Sequence, residues 1–245
     1  MKSCLAAIAF MTRLPVGRVI AFSVADVSRS AGWFPVIGVL LGTIYSLAAM
    51  LLKDHLPLPV VGVLLVTLDA IATGALHFDG LADTADGFGG GKSREDILRI
   101  MRDHAIGSYG GMALAIVAVL KVTAYAALLT QSNWIPALIL TPALGRWSIL
   151  LLTAALPYAR PSPSAIDGMG KRSLFLGTAA ILLALAAARS GRGLIAMGGA
   201  VAVTAAFGFY CRRRIAGITG DTLGANLELC ECVVLLAFLW TGHPR

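Results

Sequence analysis

Three aspartates stand at positions 79, 83 and 86 in the segment HFDGLADTADGFGGG, which runs from His77 to Gly91. On an α-helix the spacing i, i+4, i+7 gathers Asp79, Asp83 and Asp86 on one face. Carboxylates so placed near a helix C-terminus repel one another and the negative end of the helix dipole, so the face calls for a cation. Oxygen donors with open positions suit Mg2+ (or Mn2+), which commonly completes its shell with substrate phosphates. For an isolated triplet the plainer reading is a solvated acidic face paired with Arg99 or Arg102. The neighbouring glycines, taken with the other motifs described below, shift the balance to the metal. Gly87 is placed to end the helix as a C′ residue, and Gly89, Gly90 and Gly91 would then form a loop able to approach a phosphate.

Downstream, Ser93-Arg94-Glu95-Asp96 resembles a capping box. Ile97, Ile100, Met101 and His104 share one face of the helix it would start, with charges elsewhere. That pattern predicts a short amphipathic helix on the membrane surface or against a bundle. By spacing alone Arg102 and Asp103 are surface charges, and His104 is a packed or interfacial histidine.

The elements that must position these groups are membrane helices. Of the 245 residues 58% are hydrophobic and only 13% charged, and the mean hydropathy is +0.82. A soluble domain carries roughly a quarter charged residues, so too few are present for a water-facing surface. Stretches of about 20 apolar residues mark spans. They read as Trp33–Leu52, Val60–Leu76, Tyr109–Leu129, Trp134–Leu156, Leu174–Ala188, Leu194–Tyr210 and Leu227–Trp240. The expected fold is an all-α, polytopic bundle of about seven transmembrane helices in one domain over residues 1–245. The fifth and seventh spans are short and extend into their flanks. Continued past Leu76, the second helix would reach Asp86 as one rod about 40 Å long, projecting beyond the hydrocarbon core. Met1–Met11 is too short to span and is expected at the interface or on the bundle. Thr12-Arg13-Leu14-Pro15 interrupts it and no A-x-A-like site follows, which argues against a signal peptide.

Basic residues orient the bundle. With the N-terminus inside, the inner segments (1–32, 77–108, 157–173 and 211–226) hold fourteen of the 20 Lys and Arg residues. Lys53, Arg189, Arg192 and Arg245 fall outside, and Lys121 and Arg146 fall within spans. The asymmetry predicts N in and C out, with every chemistry-bearing segment on the cytoplasmic side. The net charge of +7 fits the same rule, and no basic-aromatic module points to nucleic acid. Cys4, Cys211, Cys230 and Cys232 lack metal-ligand spacing and read as packing residues. Gly38 and Gly42 fit small-xxx-small helix packing.

Together, HFDGLADTADGFGGG and IMRDHAIGSYG (from Ile100) resemble the cobalamin synthase family of adenosylcobinamide-GDP ribazoletransferases. FMTRLPVG from Phe10, Trp33-Phe34-Pro35, PYARP from Pro157, Gly168-Met169-Gly170 and GITGDTLGANLELCE from Gly217 agree in order, covering residues 10 to 231. The chain departs at His104-Ala105, so no role passes to those two side chains. The resemblance implies a multispanning enzyme of the bacterial inner membrane whose active site faces the cytoplasm. It would join adenosylcobinamide-GDP to α-ribazole or its 5′-phosphate and release GMP, with Mg2+ as the ion. Its partners would be corrinoid and nucleoside small molecules and the lipid bilayer. Self-association and assembly with other corrinoid-pathway proteins stay open.

On that reading Asp79, Asp83 and Asp86 would hold Mg2+ against the pyrophosphate. Arg13, Arg102 and Arg160, with Asp103, Gly89 and Gly90, would contact substrate; the bland alternative for each arginine is positive-inside charge. Asp221 is either a second carboxylate site or the N-cap of the last helix. Glu228 and Glu231 lie within or near the membrane, where carboxylates are costly, so they rank as partners for a metal, an arginine or the hydroxyl nucleophile. Arg146 and Lys121 must snorkel, pair or face a polar cavity, and Glu231 is the expected partner of Arg146.

Three rivals fit less well. CDP-alcohol phosphotransferases need an arginine where Asp83 stands, and membrane polyprenyltransferases use two aspartate-rich motifs where one is clear here. A cation transporter would place its acids near the midplane or in discontinuous helices, whereas the sequence puts Asp79 to Asp86 beyond the second span.

Overall fold

The computed structural model describes residues 2–103, 105–160 and 164–240; His104, Arg245 and Pro161 of the PYARP motif lie outside them. The described residues form helices α1 (Lys2–Met11), α2 (Val16–Val19), α3 (Val24–Ser30), α4 (Phe34–Leu52), α5 (Leu58–Thr73), α6 (Leu76–Gly90), α7 (Arg94–Ile100), α8 (Ser108–Leu128), α9 (Ile135–Ala155), α10 (Lys171–Ala188), α11 (Gly191–Ile215) and α12 (Gly220–Leu239). Among them six helical stretches are long and apolar enough to cross a membrane, or seven if the α5–α6 pair counts as one broken span. The all-α, polytopic reading of the sequence is therefore correct. The short fifth and seventh stretches extend into their flanks, at Lys171 and Gly220.

Burial ranks the helices. In α9 and α12 about three quarters of the apolar window is buried (78% and 72%), whereas in α8, α10 and α11 the share is 22–28%. The bundle is thus built around α9 and α12. The outer helices turn apolar side chains outward, such as Leu40, Ile44, Leu47 and Leu51 at helical spacing on α4 and Met112, Ile116 and Val119 on α8. So large an apolar surface is stable against lipid and not against water.

α4 and α9 touch backbone to backbone. A Cβ at Gly38 would collide with the Pro142 carbonyl, and one at Gly42 with Ile139 and the Leu138 carbonyl, which bears out the small-residue seam. α1 packs Ala6, Ala7 and Met11 into the protein. The four cysteines are free, and Cys211, Cys230 and Cys232 are buried.

The second span departs from expectation. α5 and α6 are not a continuous rod: they meet at a 93° bend. Gly74 (φ 66°) and Ala75 (φ 56°) both take the left-handed conformation. The Ala75 N–H donates to the Ala70 carbonyl at 2.7 Å and the Gly74 N–H to Ile71 at 3.3 Å, which closes α5 with a Schellman-type turn. The Arg13 N–H satisfies another end carbonyl, that of Ala72, at 2.7 Å. The acidic helix therefore turns away from the axis of α5 and runs back along α8, from Phe78 beside Lys121 to Asp86 at the first turn of that helix.

Candidate active site

Two glycines let α6 lie directly on the start of α12. A Cβ at Gly80 would come within 2.8 Å of the Asp221 carbonyl oxygen, and one at Gly224 within 3.3 Å of His77 Cα. This close contact places Asp79 and Asp221 on the wall of one pocket, with His77, Gly80, Gly220 and Gly224. Phe10, Met11, Phe34, Ile149 and Leu223 supply its apolar side. Asp79 also borders a second, more polar hollow shared with Thr12, Arg13, Thr73, Gly74 and Ala75. Asp79 is exposed, and Asp83, one turn along the same face, is half-buried.

Thr219, not Asp221, caps α12. Its hydroxyl accepts from the Thr222 N–H at 3.2 Å, and its own N–H donates to Thr222 Oγ1 at 2.8 Å. The choice left open by the sequence thus falls on a carboxylate free of capping duty. Asp221 instead receives Arg160 Nη2 at 2.8 Å and the Thr219 hydroxyl at 3.2 Å. The pairing rests on a short ladder between two distant motifs: the Ala159 N–H donates to Ile218 O at 2.8 Å and the Ile218 N–H to Pro157 O at 3.0 Å. Gly217 is required there, since a Cβ would meet the Pro157 carbonyl.

Arg94 and Arg214 act as staples that sequence reasoning missed. Arg94 donates to the carbonyls of Ile215 (3.0 Å) and Ala159 (2.8 Å), and Arg214 to those of Phe88 (3.1 Å) and Gly91 (2.9 Å). In sequence they look like ordinary positive-inside charge. Fixed to backbone, they tie α6, the α11–α12 turn and the PYARP segment into one end-plate.

Asp86 is occupied otherwise than expected. Its two oxygens accept the N–H groups of Gly107 (2.7 Å) and Gly110 (2.8 Å), at the start of α8. A carboxylate is well placed there because the amides at a helix N-terminus lack intrahelical partners. Gly87 does not end α6, which continues through Gly89 and Gly90 to a C-cap at Gly91. Gly89 and Gly90 therefore form no loop; Gly89 packs against the Tyr109 ring, 2.5 Å from where its Cβ would stand. Arg102 and Asp103 are exposed beyond α7, and Asp103 accepts the Ala105 N–H at 3.2 Å. Ser93 caps α7 by accepting the Asp96 N–H at 3.1 Å.

Glu228 and Glu231 are not in the pocket. They are 0% and 1% exposed, inside the bundle with Asp69, Lys121 and Arg146. The expected Arg146–Glu231 pair forms, and Lys121 joins it, 2.6 Å from Glu231 Oε2. Asp69 and Tyr45 complete the cluster, the Tyr45 hydroxyl donating to Asp69 Oδ1 at 2.7 Å. Sequence reasoning passed over Asp69, although it is the lone acid in an apolar span and carried the same signal as Glu231.

The donors fit a Mg2+ shared with substrate better than one caged by protein. Among the described residues the carboxylates whose oxygens come within 4.8 Å of one another are Asp69, Glu228 and Glu231; Asp79, Asp83 and Asp86 form no such cage. Mg2+ commonly takes one or two carboxylates, with waters and phosphates in the remaining positions. Asp79 and Asp83, one turn apart on the same face of α6, could supply such carboxylates, while Asp86 accepts the Gly107 and Gly110 amides.

The family model described as cobalamin-5-phosphate synthase matches residues 3–239. A relative from Klebsiella pneumoniae subsp. pneumoniae is 39% identical over 244 residues, covering 97% of this chain and 99% of its own. One from Clostridium botulinum is 38% identical over 237 residues, 95% of each chain. One from Syntrophobacter fumaroxidans is 36% identical over 241 residues, 94% of this chain and 95% of its own. All three bear the name adenosylcobinamide-GDP ribazoletransferase. No solved structure matches the chain. A matched model of nearly full length, an ordered set of motifs and relatives above one-third identity agree: the chain belongs to the cobalamin-5-phosphate synthase family.

Proposed function

We propose that this transferase joins adenosylcobinamide-GDP to α-ribazole, or to α-ribazole 5′-phosphate, at the pocket between α6 and α12. A ribose hydroxyl attacks the phosphorus attached to cobinamide. The new O–P bond forms as the bond to the GMP phosphate breaks, the hydroxyl proton is released, and GMP leaves. The observation that supports this best is the meeting of Asp79, Asp221 and Arg160 where α12 begins. Phosphoryl transfer needs positioning and charge neutralisation more than covalent help from the protein.

The residues divide that work. Asp79 and Asp83 would hold Mg2+, which when bound neutralises the pyrophosphate and the departing phosphate. Arg160, oriented by Asp221, presents a planar donor fork suited to a phosphate, and the free amides opening α12 add positive potential. Arg13, which lines the polar hollow, would take a second phosphate or the nucleotide. Arg102 and Asp103, exposed beyond α7, would contact substrate from outside the pocket. Asp86 fixes α8 against the acidic helix. The apolar pocket wall excludes water, which would otherwise compete with the ribose hydroxyl. We assign the reaction to the cytoplasmic face of the inner membrane because the asymmetry of basic residues favours that side for the segments that carry the motifs.

The test is direct. Purified protein in lipid, given adenosylcobinamide-GDP, α-ribazole and Mg2+, should yield cobalamin and GMP in equal amounts. Release of GDP, or no cobalamin at any acceptor concentration, would refute the proposal.

A further inference from the structure

Lys121 occupies the position that a metal ion would take among three carboxylates. Its Nζ stands 2.6 Å from Glu228 Oε2, 2.6 Å from Glu231 Oε2 and 3.6 Å from Asp69 Oδ2. Arg146 closes the other side, contacting Glu231 Oε1 and lying 3.6 Å from Asp69 Oδ1. Lys121 is 1% exposed and Arg146 0%. These side chains, with Tyr45, come from α4, α5, α8, α9 and α12.

Such a cluster is a poor way merely to stabilise a bundle. Desolvating buried ions costs much of what their attraction returns, and apolar replacements are often equal or better. What ions fix is relative position, because each misplaced oxygen leaves a charge unpaired. The cluster sits where position matters for the pocket. Lys121 Nζ lies 4.9 Å from the centre of the Phe78 ring, on the residue before Asp79. Glu228 and Glu231 lie on the helix whose first turn carries Asp221, and Asp69 lies just over one turn before the bend at Gly74. α8, which carries Lys121, is held to the acidic helix by Asp86 at its other end.

Resting on the transferase reading above, we propose that Lys121 is a built-in cation that positions the two active-site helices, setting Asp79 on α6 against Asp221 on α12 through Glu228, Glu231 and Asp69. It is a positioning residue and does not touch substrate. The charge balance gives it a distinctive signature. The cluster has three carboxylates and two cations, so removing Lys121 leaves two unbalanced negative charges inside the membrane bundle. Removing the Glu228 charge as well restores the original excess of one. Glu228 is the natural choice because neither of its oxygens makes a hydrogen bond of good geometry among the described residues, so charge alone holds it.

The experiment compares wild type, Lys121→Met, Lys121→Met/Glu228→Gln and Tyr45→Phe, all in lipid. Wild-type turnover of the two substrates tests the transferase reading by itself. Lys121→Met should lower kcat by about 10- to 100-fold, the scale for losing a group that orients site ligands. KM should change by less than about threefold, because no substrate contact is removed. The double variant should recover at least about tenfold of the lost kcat, which a simple loss of packing would not allow. Tyr45→Phe removes only the hydroxyl that donates to Asp69 and should cost about tenfold in kcat. It decides the matter if Lys121→Met does not fold. Wild-type kcat in Lys121→Met, a loss expressed in KM alone, a double variant no faster than the single one, or wild-type kcat in Tyr45→Phe would each overturn the proposal.

Discussion

Arg160 reaches Asp221 across 61 positions of sequence, its guanidinium nitrogen 2.8 Å from the carboxylate oxygen. Both side chains are largely enclosed, with 16% and 22% of their surfaces exposed. The pair joins the PYARP and GITGDT motifs at the pocket that Asp79 also lines. If Arg160 clamps phosphate while Asp221 orients it, Arg160→Gln should lower kcat/KM by about 10²-fold or more. Asp221→Asn should lower it less, and α12 should still form because Thr219 is its cap. Steady-state kinetics and helical content by circular dichroism check both points. Wild-type kinetics in Arg160→Gln would remove the clamp from the account.

Asp86 should behave unlike its two neighbours in the acidic triplet. Its carboxylate is nearly buried (9% exposed) and holds two amides at the start of α8. An Asn side chain offers one acceptor and turns a donor toward the other amide, at a cost of about 1–3 kcal/mol. Asp86→Asn should therefore unfold at lower temperature, and added Mg2+ should not restore its activity. Thermal unfolding in lipid reads the difference, and an unchanged melting temperature would contradict the anchoring role.

The bend before the acidic helix makes a backbone prediction. Gly74→Ala places a Cβ at φ 66° and into the Arg13 side chain, so it should destabilise the protein by more than roughly 1 kcal/mol, the left-handed penalty alone. Ala75 already bears that penalty at φ 56°. Ala75→Gly should accordingly be neutral or stabilising by up to roughly 1 kcal/mol. Denaturation midpoints of the two variants, moving in opposite directions, are the check.

Orientation is testable by labelling. In a background without native cysteines, cysteines at Lys92 and Arg172 should react only from the cytoplasm, and one at Ser132 only from the opposite side. All three positions are exposed, on the α6–α7 link, the start of α10 and the α8–α9 link. Labelling of position 92 from outside would invert the arrangement proposed here.

Much of this molecule was readable from its amino acids because lipid imposes a simple rule. Apolar runs long enough to cross became helices, Gly38 and Gly42 became a helix seam, and Arg146 found Glu231. The features that escaped depend on tertiary geometry. Periodicity carried the second helix straight through Gly74, because hydrophobic spacing does not register a left-handed φ at Gly74 and Ala75. The i, i+4, i+7 pattern put Asp79, Asp83 and Asp86 on one face, as α6 does, yet could not show that the α8 amides would claim Asp86. Arg94 and Arg214 find their carbonyl partners 65 to 126 positions away, a distance over which one sequence holds no signal.

The central claim is that Asp79 and Asp83 hold the Mg2+ that serves the pyrophosphate. Its most direct measurement is the rate of cobalamin and GMP formation against Mg2+ concentration for wild type, Asp79→Asn and Asp83→Asn in lipid. The account predicts no turnover without divalent metal. It also predicts rates about 10²–10³-fold below wild type in both variants, the scale of losing a principal electrostatic stabiliser. The melting temperature of Asp79→Asn should be unchanged, and recovery at high Mg2+ should be partial where affinity is the defect. Wild-type activity surviving complete chelation, or both variants turning over at wild-type rates, would contradict it.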